Sequence, residues 1–383
     1  MNKRLHPSPG VVLGIAVLVV SSFSVSPART EEAPRPRPGE VVEIPFAPLG
    51  TDLKIWLPPD HGEDPERRWP IWLYYHGTGG RPTVGFPLQA VRRGDWVVVG
   101  MTYRKRGRFD YSQRNLAAER EIYHELLRTW NRDHALQLDP EKVFVGGFSK
   151  GGWLAGLFLE SDPILAGAIV LGAGASSRSG EVSPRPFDSP RSVYVGVGES
   201  DGNLGMSHRA REHFKRLGGR VTLDVWPDCG HALPRSAPTF LRQWLRLRAA
   251  RPEDEFGIRA EAVEWMDDTL REIADGDDPV EAYFALDRLR DAPWYPLADR
   301  EITTEITERL ARLGSGPQLH DEIRARDRFH QILAVETRDR YLKTLRQVNG
   351  DYALLAEKFP DTRFGKKAAL SRDRTAAMLP PGG

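Results

Sequence analysis

Gly147-Phe148-Ser149-Lys150-Gly151 sets a serine between two glycines, directly after the apolar run VFVG and before an apolar helical stretch. A turn this tight leaves no room for side chains at the flanking positions. It holds the serine hydroxyl above the sheet, at the positive N-terminus of the following helix. The pentapeptide alone is common in a chain with 36 glycines, so its place between strand and helix carries the information. The plainer alternative is an ordinary turn with a helix-capping serine.

A free hydroxyl needs a base, and the base needs an orienting acid. In this arrangement the order is Ser, acid, His, each after a later strand. The run SVYVGVG leads into Glu199-Ser200-Asp201-Gly202, and VTLDVW leads into Pro227-Asp228-Cys229-Gly230-His231. The order is met, with spacings of 52 and 30 residues. His208 and His213 fall on an expected helix and His320 and His330 in the C-terminal region, so His231 is the expected base. Asp201 is the expected acid, with Glu199 as competitor; Asp228 reads as a local cap of the histidine loop. Cys229 reads as a small loop or core residue.

His76-Gly77-Thr78-Gly79-Gly80 follows the run WPIWLYY. Glycines let backbone N–H groups approach a developing alkoxide without a Cβ in the way. The expected oxyanion donors are the N–H of Thr78, with Gly79 as alternative, and the N–H of Lys150. His76 is expected to be structural, and the Lys150 side chain to face solvent. Tyr103 and Trp153 are candidate substrate-binding residues at the mouth, together with the basic stretch Arg104 to Arg108. Trp153 as helix core and the basic stretch as a solvated loop are the plain alternatives.

These residues need a scaffold. Between 41 and 250 short apolar runs alternate with helical stretches, which implies a parallel sheet covered on both faces. Strands are expected at 69–75, 96–103, 143–146, 168–172, 192–197 and 221–226, and an antiparallel pair within 41–58. Helices are expected at 115–136, 153–159, 205–217 and 239–249. Every motif above then lies at the carboxyl end of a strand, where such sheets bind ligands.

HGTGG, GFSKGG, GESD and DCGH, in this order and each after an expected strand, resemble the α/β-hydrolase superfamily over residues 41–250. The G-x-S-x-G-G form and the short HG loop resemble the secreted polyhydroxybutyrate depolymerases, feruloyl and acetyl-xylan esterases and phospholipase/carboxylesterases. The resemblance implies an α/β fold and hydrolysis of an ester through an acyl-serine, without cofactor or metal. Residues 173–190 are short and Ser/Pro-rich, with no long lid insertion, which speaks for an open site and against a true lipase. Other classes share parts of this pattern: a serine peptidase of the same fold, and a non-catalytic binding protein on this scaffold.

The rest of the 383 residues divides by texture. Lys3, Arg4 and His6, the apolar Val11–Val20 and Ser26-Pro27-Ala28 read as a signal peptide over 1–28. The implied location is periplasmic or extracellular, with no stable membrane anchor after cleavage. Residues 29–40 read as a Pro-rich linker. Residues 251–383 read as an all-α region with a possible tetratricopeptide-like end in PDTRFGKKAAL, a candidate for a protein partner. A long charged helix is expected over 318–348, with Tyr352 to Glu357 opening the next. The net charge of +1 argues against a general nucleic-acid binder, while its change from +7 over 1–250 to −6 over 251–383 hints at a boundary near 250. A small-molecule or polymer-linked ester is the expected substrate. The lone cysteine excludes an intrachain disulfide.

Overall fold

A computed structural model describes residues 34–380 except 93, 105–112, 176–185, 228, 275 and 337–340; the side chains of 113, 317 and 318 are also left out. The expected signal peptide and most of the linker lie outside the described residues.

The α/β part contains β1 (Val41–Phe46), β2 (Thr51–Trp56), β3 (Trp69–Tyr75), α1 (Gly85–Ala90), β4 (Val97–Met101), α2 (Gln113–Asp133), β5 (Leu138–Phe148), α3 (Lys150–Ser161), β6 (Gly167–Leu171), β7 (Ser192–Gly198), α4 (Leu204–Arg216), β8 (Arg220–Trp226) and α5 (Thr239–Ala249). The strands form one eight-stranded sheet in the order β1-β2-β4-β3-β5-β6-β7-β8. β1, β2 and β4 pair antiparallel, and every pairing from β4 through β3 to β8 is parallel. This is the expected doubly covered α/β architecture. β3, β4, β6 and β7 are buried along their whole length, which is why they read as unbroken apolar runs.

Alternate residues of the strands feed two cores. Leu73, Val99, Val145 and Val195 join the α2, α3 and α4 side chains Leu126, Leu157 and Phe214. Trp72, Val98, Phe144 and Tyr194 join Leu241 and Trp244 of α5 on the other face. Each such apolar side chain contributes about 1.5–3 kcal/mol by leaving water.

The C-terminal helices are α6 (Glu255–Ala274), α7 (Pro279–Leu289), α8 (Arg300–Gly314), α9 (Pro317–Glu336), α10 (Leu342–Lys358) and α11 (Arg363–Ala376). They extend both cores. Met266, Leu270, Leu286 and Ile306 of α6, α7 and α8 belong to the α5 face, while Phe329, Tyr352 and Phe364 of α9, α10 and α11 belong to the α2–α4 face. Two carboxylates, the buried Asp224 and the half-buried Glu199, anchor them to the sheet. Asp224 of β8 accepts hydrogen bonds from Arg288 of α7 at 2.7 Å, from the Tyr194 hydroxyl at 2.6 Å and from the Trp226 indole at 3.1 Å. Glu199, after β7, pairs with Arg363 at 3.6 Å and with Lys367, both on α11.

The long helix expected over 318–348 is two helices: α9 ends at Glu336 and α10 begins at Leu342, so Tyr352 lies inside a helix rather than opening one. Both share apolar periodicity, and the periodicity runs through the break. The PDTRFG stretch is the turn of an α10–α11 hairpin. Thr362 caps α11 by accepting the Gly365 N–H at 2.9 Å, and a Cβ on Gly365 would stand 1.8 Å from the Phe359 carbonyl oxygen. Among the described residues no helix is long and apolar enough to cross a membrane.

Candidate active site

Ser149 sits between β5 and α3 with φ 52° and ψ −113°, a conformation that L residues rarely adopt. Its neighbours explain how the strain is held. A Cβ on Gly147 would lie 2.3 Å from the Tyr75 carbonyl oxygen, and one on Gly151 2.1 Å from the same atom. The two glycines let the turn press against the end of β3. The Ser149 N–H donates to the Leu171 carbonyl at 2.8 Å, and the Ser149 carbonyl accepts from the Trp153 N–H at 3.1 Å.

The structure brings Ser149, His231 and Asp201 together. The Ser149 hydroxyl lies 2.9 Å from His231 Nε2, and His231 Nδ1 lies 2.8 Å from Asp201 Oδ2. A carboxylate can only accept, so Nδ1 carries the proton and Nε2 presents its lone pair to the hydroxyl. The Asp201 side chain is 2% exposed, whereas that of His231 is 43% exposed. The acid is shielded and the base is reachable from solvent. Asp201 Oδ1 also accepts the Asn203 N–H at 2.8 Å, and Asn203 Nδ2 donates to the Gly172 carbonyl at 2.9 Å. The His231 ring faces Phe148 at 5.0 Å between centroids.

The acid and histidine loops are stitched together by backbone. Ser200 N–H donates to the Cys229 carbonyl and Glu199 N–H to the Trp226 carbonyl, both at 2.9 Å. A Cβ on Gly198 would stand 2.2 Å from the Cys229 carbonyl oxygen. The backbone of Cys229 is therefore part of the scaffold. Burial, with Asp201 second, pushes its thiol pKa up and away from the reactive thiolate. Glu199, the competitor for the acid role, is engaged with α11. Asp228 lies outside the described residues.

The HG loop wraps around its own histidine. His76 is buried; its Nδ1 lies 2.7 Å from the Gly77 carbonyl and its Nε2 3.0 Å from the Thr102 hydroxyl. Burial is the largest cause that lowers its pKa, and the ring packs and hydrogen-bonds beneath the loop. Gly80 N–H closes a turn onto the Gly77 carbonyl at 3.1 Å. That leaves Thr78 and Gly79 as the loop's candidate donors. Gly77 lies against the elbow: a Cβ there would be 3.5 Å from that of Ser149.

Two side chains are placed differently from the sequence expectation. Tyr103 is 7% exposed and donates its hydroxyl to the His76 carbonyl at 2.5 Å, so it sits under the loop as a prop rather than at the mouth. A residue directly after a strand reads alike in both roles. The Lys150 ammonium rests 3.9 Å above the Tyr103 ring instead of reaching into solvent. Trp153 is half-buried on α3, packed against the α2–α4 core. Arg104 is described, but Arg106 and Arg108 are not, and residues 176–185 of the expected lid-free segment also lie outside the described residues.

Sequence reasoning missed Glu119. This α2 residue is 2% exposed, and its Oε1 accepts the Arg104 N–H at 2.8 Å. Burial pushes its carboxyl up to about 7, opposed by the Arg104 N–H bond and the Lys150 charge. A glutamate on a charged helix gives no sequence signal of burial. Among the described residues no three His, Cys, Asp or Glu side chains gather as a metal site. A cavity of about 690 Å³ lined by Trp96, Gln243 and Trp265 lies between α5 and α6. Trp96 precedes β4, which puts this cavity at the amino ends of the strands, away from Ser149.

No protein-family model matches the chain. An AB hydrolase superfamily protein of Schizosaccharomyces pombe is 30% identical over 114 residues, covering 28% of this chain and 32% of that protein. The chain thus spans about a third of the length of the curated relative it matches. Among solved structures, a carboxylesterase from Mesorhizobium loti is 17% identical with a TM-score of 0.43, covering 53% of this chain and 98% of that one. The Bacillus cereus carboxylesterase is 19% identical with a TM-score of 0.37, covering 44% and 82%. A phospholipase/carboxylesterase from Dyadobacter fermentans is 15% identical with a TM-score of 0.35, covering 53% and 94%. The chain, with its mostly parallel sheet and its serine elbow, resembles the α/β-hydrolase superfamily.

Proposed function

We propose that the protein is an exported serine hydrolase that cleaves carboxylic esters through an acyl-serine. The observation that supports this most directly is the continuous relay from Asp201 Oδ2 through His231 to the Ser149 hydroxyl, with links of 2.8 and 2.9 Å. Ser149 Oγ attacks the ester carbonyl as His231 Nε2 takes its proton. Asp201 fixes the imidazole tautomer and stabilises the imidazolium. The N–H groups of Thr78 and Lys150 stabilise the oxyanion; losing one such donor typically lowers turnover about 10²–10³-fold. The imidazolium then protonates the leaving alcohol, and water, activated by the same base, releases the acid. Export rests on the basic start and apolar run of residues 1–28.

A panel of chromogenic acyl esters, glycan esters and peptides tests the reading on wild type and Ser149→Ala. Ester cleavage that disappears in the variant is the expected result. Cleavage of peptides alone points to a peptidase. No cleavage by wild type, or full activity in Ser149→Ala, overturns the reading.

A further inference from the structure

The groups that hold the HG loop do not end at His76. Two residues of one short segment grip that histidine: the Thr102 hydroxyl meets its Nε2 at 3.0 Å, and the Tyr103 hydroxyl donates to its carbonyl at 2.5 Å. The Tyr103 ring also stands edge-on to the His76 ring, 5.0 Å between centroids. The next residue, Arg104, is tied by its N–H to the Glu119 carboxylate at 2.8 Å. On the elbow side, the Lys150 ammonium lies over the Tyr103 ring at 3.9 Å. The HG loop, through His76, and the elbow, through the Lys150 side chain, thus meet at the Thr102–Arg104 segment. α2 contributes one buried carboxylate to that junction.

We propose that Glu119 is a positioning residue for the oxyanion donors, acting through the Arg104 backbone, Thr102, Tyr103 and His76. The proposal rests on the serine-hydrolase reading above and adds to it a residue that touches no substrate. The hydrogen bond from the Arg104 N–H fixes the chain just past β4, where the sheet no longer does so. With that bond lost, Thr102 and Tyr103 can drift, and the loop around His76 loses its template. Sub-ångström displacement of an oxyanion donor weakens stabilisation of the transition state while leaving ground-state binding nearly intact. Besides the Arg104 backbone, Lys150 and the Tyr75 hydroxyl interact electrostatically with Glu119. The bond itself needs only a carbonyl-type acceptor, which glutamine also supplies.

The test compares wild type, Glu119→Ala, Glu119→Gln, Tyr103→Phe and Ser149→Ala on the best chromogenic ester of the panel, with far-UV circular dichroism on each. Glu119→Ala is expected to lower kcat about tenfold or more with KM changed less than threefold. Glu119→Gln should restore kcat to within about threefold of wild type. A boronic acid that forms a tetrahedral adduct on Ser149 should lose affinity in Glu119→Ala in parallel with kcat. Wild-type kcat in Glu119→Ala, a loss confined to KM, or a failure of glutamine to rescue overturns the proposal. If Glu119→Ala does not fold, Tyr103→Phe decides: it removes one hydroxyl from the same chain, and an unchanged kcat there overturns the proposal. A wild type that cleaves no ester removes the hydrolase reading and this inference together. Normal Ser149 dependence with an indifferent Glu119 removes this inference alone.

Discussion

All seven residues of β3 are buried, whereas α6 buries only Ile258, Ala262, Met266 and Leu270 of its twenty. The strand is wedged between two cores and has no freedom to shift. The helix buries one stripe at a spacing of four residues, packs Val263, Trp265 and Ile273 partly against the same core, and leaves most of the rest to solvent. The proposed chemistry follows this difference: Ser149, Asp201 and His231 all follow strands, and none comes from α6–α11. The helices contribute at one remove, by closing both cores and by lending Arg288, Arg363 and Lys367 to carboxylates of the sheet. A sheet that must hold strained turns needs cover on both faces, and part of that cover is C-terminal.

The largest expected effect is on the chain cut after Ala250. Because the C-terminal helices extend both cores, the fragment should lose solubility or cooperative unfolding, as read by sedimentation and thermal denaturation. A soluble and active fragment would make residues 41–250 a self-sufficient domain, the organisation expected from the sequence. Next comes the acid. Asp201→Asn should lower kcat on the order of 10³–10⁴-fold by favouring the wrong histidine tautomer. Glu199→Gln should leave kcat within about threefold, since its partners are on α11; the reverse ranking would exchange the two roles.

Smaller effects concern the seam between the two regions. Arg288→Ala leaves Asp224 buried with only its tyrosine and indole donors, and should cost about 2 kcal/mol, measured by urea unfolding. An unchanged midpoint would make the pair decorative. His330 of α9 faces His208 of α4 at 5.2 Å between ring centroids. Burial is the largest cause that lowers both pKa values, His330 to about 3. A histidine with a depressed folded pKa binds more protons when unfolded, so its share of stability is present above the unfolded value and fades as pH falls towards the folded one. For His330 that window runs from about 6.5 to about 3, with roughly 2 kcal/mol lost between pH 7 and pH 5. His330→Phe should flatten this acid limb; an equally steep limb would place the sensitivity elsewhere.

The positions of the strands and of Ser149, Asp201 and His231 were legible because tight turns demand glycine and buried strands demand apolar runs. VFVGGFSKGG carries both signals in ten residues. The role of Tyr103 was not legible, since a tyrosine after a strand suits a site wall and a buried prop equally. Lys150 is exposed by type but covered by its aromatic neighbour. Glu119 hides because periodicity shows which helix face is apolar, not which carboxylate is drawn inward to a backbone N–H. The break between α9 and α10 hides for a related reason: an amphipathic stripe can pass from one helix to the next without a proline or glycine to mark the end.

The most direct measurement of the central claim is labelling with a fluorophosphonate, followed by peptide mass spectrometry. A single adduct on Ser149, absent in Ser149→Ala and at least 10²-fold slower in His231→Ala, is the expected result. No adduct on the folded wild-type protein, or an adduct that persists at full rate without His231, would contradict the relay.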